Sequence, residues 1–548
     1  MRATKVFITS VLFLIFAISV CAQTEIVVDY SQASSIKIEE PRLAHVNITG
    51  IDALPEGKED NLHAWMEYND DNGVFFKKRV VVNAQGATSL KFPKKNLAID
   101  FCEDEWIGET TTSVTIGDWV KQDAFHLKAN WLDSFRGGLA VATAYKLYDD
   151  MVADEPHILE RAGLTDYSEK VLCHPDGFPC VVSLNGSFYG VYAWQLKKHR
   201  RNMGMKKDNP QHVWFQLQTY TSSFVTGDVN WNHIEVRNPK VVTDETKGII
   251  EQFAGYYKEL ESMNHTLSRD AMRHEIERRY DVPCLIDFII HGMVTANIDG
   301  FGKNAQFFTY DGYKWFVMPY DLDETFGNSW VGSFQFPAEW SWVSVPYSME
   351  GYVNTVPYTW IVDYFWDDLK KRYACLRRSG VLSVEKIMSY LEDWNDRVGE
   401  DYYDKEYAMW ASCPSNGVTV LDPHWKKIED WSQYAKTVAY DAKKTYTPGQ
   451  TCVYNYQIWE AVQTSTGVLP VVQSGYTDTE ERVSRWIEKR LQLEDKYLGY
   501  DPSSGGVGLD GVAVDGGRYR NNSTKYIYNG AVVIQKDGSK WRVNGLNL

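Results

Sequence analysis

The chain has 548 residues, 73 acidic against 57 basic side chains, and a formal net charge of −16. A nucleic-acid binder needs a basic face, and this balance argues against one. At roughly 150 residues per domain, the length corresponds to two to four domains or lobes.

Arg2 and Lys5 precede an apolar run, Val6–Val20, followed by Val20-Cys21-Ala22. Residues 1–22 are therefore expected to be a secretory signal peptide cleaved after Ala22, which sends the mature chain to the periplasm, the cell surface or the medium. That run is too short for a stable membrane span, and no later apolar run is long enough to cross a bilayer. Of eight cysteines, seven remain beyond Cys21. None forms a CxxC pair, which argues against zinc. Cys173 and Cys180, in CHPDGFPC, either close a small disulfide loop or lie as two buried thiols. The 20 Trp and 34 Tyr serve a large core or stack on sugars; composition does not choose.

Residues 24–105 are predicted to be strands. Leu62–Tyr68 runs into the turn signal Asn69–Gly73, then Val74-Phe75-Phe76 and Arg79–Val82. In Lys94–Phe101 the alternation puts Leu97, Ile99 and Phe101 on one face, with Lys95 on the same side and Lys94 sharing the other with Asp100. An inward lysine on a strand is what a kinase uses to hold ATP phosphates, which favours Lys95 over Lys94. Leu139, Ala142, Thr143, Lys146 and Leu147 follow a helical period. Val181–Gln195 is two strands around Asn185-Gly186, the best hairpin signal in the chain. The basic run Lys197–Arg201 after it faces solvent or meets a phosphate or acidic substrate. Residues 205–245 read as a linker at the junction of two lobes. Ile249, Phe253, Tyr256 and Leu260, then Leu285, Phe288, Ile289 and Met293, predict two helices.

The second helix aims at the densest chemistry in the chain, NIDGFGKNAQFFTYDGYKWFVMPYDLDETFG, residues 297–327. Asp299 and Asn304 have the D-x-x-x-x-N spacing of a kinase catalytic loop, and Asp321 follows a short hairpin, where a kinase carries a metal-binding Asp. Phosphoryl transfer needs a carboxylate to take the attacking hydroxyl's proton and oxygen ligands for Mg²⁺. Residues 330–445 are helix-rich. Residues 440–475 break to a small β pattern, and Val483, Trp486, Ile487, Arg490, Leu491 and Leu498 return to an amphipathic helix. Residues 501–516 are a Gly/Ser/Asp-rich linker, and 517–548 a β tail with turn signals at Asn529-Gly530 and Asp537-Gly538.

NGSFYGVYAWQLKKHR, NIDGFGKNAQFF and MPYDLDETFG together resemble the CotH family of secreted and spore-coat atypical protein kinases, over roughly residues 40–500. The resemblance implies an α+β, atypical protein-kinase-like two-lobed fold, with a β-rich N-terminal lobe over 35–240 and a helical C-terminal lobe over 241–500. It implies a phosphoryl transfer from ATP to a hydroxyl of a secreted or surface protein. Asp299 would be the catalytic carboxylate. Asn304 and Asp321 would hold Mg²⁺ (or Mn²⁺), with Asp323 holding a second ion or bracing Asp321. Lys95 or Lys94, with Ser89 in Gly86-Ala87-Thr88-Ser89 and Arg136 in Asp133-Ser134-Phe135-Arg136, would contact the nucleotide. Many relatives end the hairpin's second strand in Glu; here the register gives Gln195 or Leu196, which leaves the lysine's usual partner unplaced.

Residues 440–475 resemble small chitin-binding-type β modules, which implies a glycan contact by Tyr446, Tyr454 or Trp459, or else a structural insertion. Two rival functions stay open on the sequence. One is a catalytically weak pseudokinase acting as a sugar-binding surface protein. The other is a sugar-nucleotide transferase with Asp321 and Asp323 as its metal clasp.

Overall fold

The computed structural model describes residues 27–504 apart from 87, 103–110, 132–139, 166, 168–170, 219–228, 329–337, 339–357, 411–423, 429–430, 455–456 and 471–479. It also describes 523–528, 531–536 and 539–542. Residues 1–22, expected as a signal peptide, Asp133, Arg136 and most of residues 501–516, expected as a linker, lie outside these.

The first half of the chain is β-rich: β1 (Val28–Asp29), β2 (Ser35–Ile38), β3 (Ala44–Thr49), β4 (Leu62–Asp70), β5 (Val74–Gln85), β6 (Asn96–Cys102), β7 (Ser113–Ile116), β8 (Ala124–Lys128), β9 (Gly177–Leu184) and β10 (Ser187–Leu196). The sheet order is β1-β5-β4-β3-β9-β10-β8-β6, and β6 also pairs with β5, so seven strands close into a barrel with β1 added outside. Alternation fills it. β3 and β5 bury every second residue, and Val46, Ile48, Met66, Tyr68, Phe76, Val82, Leu97, Ile99, Phe125, Leu127, Tyr192 and Trp194 share one core. The Asn185-Gly186 turn joins β9 to β10 as expected, with Asn185 at φ 48° and Gly186 at φ 80°. Between β8 and β9 stand two short helices, α1 (Lys146–Val152) and α2 (Ile158–Arg161).

Residues 205–245, expected as a linker, instead contain two strands, β11 (Val213–Leu217) and β12 (Ile234–Asn238). Each is only five residues long, and β11 is buried at every position, so neither shows the alternation that marks a half-buried strand. They are the outer half of a four-stranded sheet, β12-β11-β13-β14, completed by β13 (Gln306–Thr309) and β14 (Trp315–Met318). Around it pack α3 (Asp244–Asn264), capped by Thr243, α4 (Arg269–Arg279), α5 (Val282–Thr295) and the five-residue α6 (Ile298–Gly302). Further helices are α7 (Tyr358–Arg378), α8 (Val384–Val398), α9 (Glu400–Trp410) and α10 (Glu480–Leu498). Nearly the whole of α5 is buried, which an apolar helix in the middle of a unit must be.

A small antiparallel sheet, β15-β18-β17, is built from β15 (Trp425–Ile428), β17 (Thr451–Tyr454) and β18 (Gln457–Ala461), next to the pair β16 (Thr445–Tyr446) and β19 (Ser465–Thr466). It starts before residue 440, because β15 pairs with β18. Tyr446 and Trp459 are each 1% exposed and form its core with Trp425, Cys452 and Ala461. Two of the three rings expected to stack on a sugar are thus spent on the module's interior, since so small a sheet has few apolar side chains to fill its core. Tyr454 is half-buried against the same core. Residues 499–548 form a separate compact unit with the antiparallel strands β20 (Ser523–Tyr528), β21 (Ala531–Lys536) and β22 (Ser539–Arg542). Among the described residues, no helix is long and apolar enough to cross a membrane. Cys173 and Cys180 are free buried thiols rather than a disulfide, and burial pushes the Cys173 thiol up to about 12.

Candidate active site

The acidic site is assembled where α5 stops. Ala296, at φ 51°, ends the helix in the left-handed region and returns its N–H to the helix's last carbonyls. Asn297 then caps α6, its side chain accepting from the Gly300 N–H at 2.9 Å. Gly300 has no room for a side chain, because a Cβ there would stand 2.0 Å from the Asn297 amide. Gly292 plays the matching part on α5: its bare face receives the Phe301 ring, which a Cβ would meet at 2.4 Å. Asp299 is thereby fixed in the first turn of α6 and is 3% exposed.

Asp321 and Asp323 come in on the other side. Asp321 has φ 57° and Phe326 φ 52°, both left-handed without being glycine. Asp tolerates that region; Phe326 is held in it by packing. Its ring lies edge-on to Trp486 of α10, and its N–H donates to the Thr295 carbonyl at 2.6 Å. The Asp321 N–H donates to the Tyr145 hydroxyl at 3.0 Å. Three distant parts of the chain therefore pin one acidic loop.

Asn304 joins the two sides. Its Nδ2 donates to Asp299 Oδ2 at 2.5 Å and reaches Asp321 Oδ2 at 3.5 Å. Burial pushes the Asp299 carboxyl up to about 6, with Asp321 adding to the rise and Lys303, 3.7 Å away, opposing it. Glu324, next in the loop, is pushed up to about 9 by burial and by Asp299 and Asp323. It is a site residue the sequence reading passed over, although it stands in the same DLDE run.

The cationic side of the site was not the one expected. Strand parity puts Leu97, Leu127 and Trp194 inside the barrel, and Ala98, His126, Lys128 and Gln195 on its outer surface, where Ala98 and Gln195 both oppose His126. The site lies against that outer surface. Lys128 Nζ is 3.8 Å from Asp321 Oδ1. Burial works against the Lys128 charge, but Tyr320, Asp321 and Asp323 outweigh it and hold its pKa up. Lys198 lies 3.8 Å over the Tyr320 ring, and burial, then the nearby Arg237, drives its pKa well below the usual range. His126 is held far below its ordinary value by burial and by Lys128, Lys197, Lys198 and Arg237. Lys128, Lys198 and Arg237, the last also paired with Glu235 at 2.8 Å, thus gather basic groups at the rim of an acidic loop, an arrangement that a polyanion contacting them would relieve.

The lysines named from the sequence lie elsewhere. Lys94 is fully buried, with its Nζ 2.6 Å from Glu406 Oε1 and donating to the carbonyls of Ala129 and Val191. Lys95 donates to the Leu90 carbonyl at 2.7 Å and pairs with exposed Glu56 at 2.9 Å. The Ser89 hydroxyl donates back to the Gln85 carbonyl at 3.3 Å. None of these contacts touches Asp299, Asn304 or Asp321. An inward lysine would face the barrel interior, but this barrel is filled by its own side chains, and the acidic loop meets the outer face instead. The signal for Lys128 was present as the outward residue of β8, and for Lys198 as part of the basic run.

A divalent cation fits a donor set of Asp321 and the Asn304 amide, with Asp323 in the same loop and Asp299 beside it on the far side of that amide. Among the described residues no three His, Cys, Asp or Glu side chains form a closed metal cage. Mg²⁺ needs none, since it is held by one or two carboxylates with waters and phosphate oxygens completing the shell. Closed sulfur and imidazole sites of the structural zinc kind are a different chemistry.

A comparison with curated proteins finds no match. A family model described as CotH kinase protein matches residues 82–438, from within β5 to beyond α9, and so takes in Lys128, Lys198, Gln216, Arg237 and the whole acidic loop. The match covers well over half of the chain, and the protein belongs to the CotH kinase family.

Proposed function

We propose that this protein transfers the γ-phosphoryl group of ATP to a hydroxyl of a protein outside the cytoplasm, on an atypical kinase-like two-lobed scaffold. The observation that carries the reading is the convergence of Asp299 and Asp321 on the single amide of Asn304, at 2.5 and 3.5 Å, beside Lys128. Asp299, buried and with its pKa near 6, is ionised at neutral pH yet basic enough to take the acceptor hydroxyl's proton. Lys128, Lys198 and Arg237 orient and neutralise the phosphate oxygens, and Asp321, Asp323 and Asn304 hold the cation. Bound Mg²⁺ or Mn²⁺ supplies charge neutralisation between the phosphates. The chain's own residues supply position and charge, which is where most of the rate in phosphoryl transfer comes from.

The destination outside the cytoplasm rests on residues 1–22. The glycan role is weakened by the burial of Tyr446 and Trp459 and is left with Tyr454 alone. The test is incubation with Mg²⁺ and γ-labelled ATP, wild type against Asp299→Ala and Asp321→Ala. Label on the chain itself or on a secreted partner, reduced at least ~100-fold in both variants, supports transfer. Nucleotide binding without label in the wild type overturns it in favour of a pseudokinase.

A further inference from the structure

Gln216 is a buried side chain that touches both halves of the site. It stands on β11 opposite Gln306 of β13 and Glu235 of β12, and is 6% exposed. Its Oε1 accepts from Lys198 Nζ at 2.6 Å and from Arg237 Nη2 at 3.3 Å. Its Nε2 donates to Asn304 Oδ1 at 3.1 Å. Asn304 Nδ2 then faces Asp299 and Asp321. The two amides form a chain with cations at one end and carboxylates at the other.

An amide's orientation is often ambiguous, but here charge decides it. Reversing Gln216 alone would turn an NH₂ group on the Arg237 guanidinium, which can only donate, and would take from Lys198 Nζ the oxygen it donates to. Reversing Asn304 alone would turn its oxygen on two carboxylates and its NH₂ group on that of Gln216. Neighbours do not soften this, because the Gln306 amide is engaged with Trp214 Nε1 at 3.0 Å and with the Asn304 backbone carbonyl at 3.2 Å. In this state Asn304 presents hydrogens, not oxygen, to the place between Asp299 and Asp321. A divalent cation there needs the oxygen. Both amides must therefore turn over together, and the turn is opposed for as long as Lys198 and Arg237 donate to Gln216.

We propose that Gln216 is a positioning residue that keeps Asn304 turned away from the cation until a polyphosphate draws off Lys198 and Arg237, so that phosphate and divalent-cation binding are coupled through two amide reversals. This rests on the phosphoryl-transfer reading of the same site, and adds an order of events to it. In the free protein the Asn304 NH₂ group stands in for the cation between the carboxylates. Phosphate oxygens that accept from Lys198 and Arg237 release Gln216 Oε1, which turns to accept from Asn304 Nδ2 as Asn304 Oδ1 comes round. The coupling is reciprocal, so cation binding also tightens the phosphate site.

The test is Mn²⁺ binding to the full mature chain, followed by electron paramagnetic resonance without nucleotide and again with a non-hydrolysable ATP analogue. Gln216→Met keeps the length and removes the hydrogen bonds to Lys198, Arg237 and Asn304. It is expected to tighten Mn²⁺ binding without nucleotide about fivefold or more, and to shrink by the same factor the further tightening that the analogue gives. In an Asn304→Ala background, Gln216→Met is expected to change nothing, since the effect travels through that amide. Unchanged or weaker Mn²⁺ binding in Gln216→Met overturns the coupling, as does an equal gain with Asn304→Ala. If Gln216→Met does not fold, Lys198→Met in the same pair of backgrounds replaces it, with the same outcomes. Wild type that binds Mn²⁺ with the analogue while the Gln216 variants behave like it loses the relay alone. Wild type that binds Mn²⁺ in neither condition loses the cation site and the relay together.

Discussion

Asp299 carries a cost that the rest of the fold has to absorb. Burial raises its pKa from an ordinary 3.8 to about 6, so the folded chain resists ionising it. Below pH 4 the carboxyl is protonated in both folded and unfolded chains, and the cost is absent. Between pH 4 and 6 it grows, and above about 6 it is constant, at up to about 3 kcal/mol. Asp299→Asn is therefore expected to stabilise the metal-free protein at pH 8 by about 1–3 kcal/mol, and the gain should close on acidification to pH 4. Urea denaturation at the two pH values measures it; a gain independent of pH would show that the carboxylate's burial is not its source. Lys94 and Lys95 carry the opposite lesson. Their side chains are ordered and buried, as expected of a functional lysine, but their partners are Glu406, Glu56 and backbone carbonyls. Burial of a charge identifies a partner, and only the partner says what the charge does.

At the scale of elements, the ion pair between Lys94 and Glu406 ties the barrel to α9. Glu406 Oε2 also accepts from the Val191 N–H of β10 at 2.7 Å, so one carboxylate closes both the lysine and the strand. Gly190 makes the space: a Cβ there would stand 2.7 Å from Lys94 Cε and 2.8 Å from Glu406 Oε2. Both charged side chains are at most 1% exposed. Lys94→Met should therefore cost about 3–5 kcal/mol, because it strands a buried carboxylate. Lys94→Met with Glu406→Gln should recover part of that. Chemical denaturation checks both; a loss under 1 kcal/mol would mean that water reaches the pair. The acidic loop is the other element whose shape comes from outside itself. Left-handed Phe326 is tenable because Trp486 of α10 and the Thr295 carbonyl of α5 hold it. The small β15-β18-β17 sheet shows the limit of reading aromatics as ligands, since a short module needs Tyr446 and Trp459 for its own core.

At the scale of the whole molecule, residues up to Leu498 form one compact unit and residues from Gly499 another. Within the first unit the site draws on β8, the residues after β10, β11, β12, α6 and the loop after β14, so occupying it ties barrel and helices together. A ligand that binds only the folded state stabilises it by mass action, about 2.7 kcal/mol at a hundredfold excess over Kd. Mn²⁺ with an ATP analogue is expected to raise the unfolding temperature of the first unit by several degrees, with either alone giving less than half of the shift. Calorimetry on wild type and Asp321→Ala measures this; equal shifts in both would place the ligand away from the acidic loop.

The acidic stretch was legible in the residues themselves. Asp299, Asn304 and Asp321 lie close in sequence, and a helix end, a hairpin and a turn leave the chain few ways to keep them apart. The barrel strands, the Asn185-Gly186 turn and the amphipathic helices follow from local periodicity for the same reason, since alternation and the 3.6-residue period are properties of a single segment. The cations that face the acids were decided only by the tertiary structure. Lys128, Lys198, Gln216 and Arg237 come from separate strands, and which face of a strand meets the site depends on how the barrel closes and what packs outside it. A strand's parity sorts its residues into two faces, but only the neighbouring elements, brought in from distant parts of the chain, determine which face is core and which is cleft.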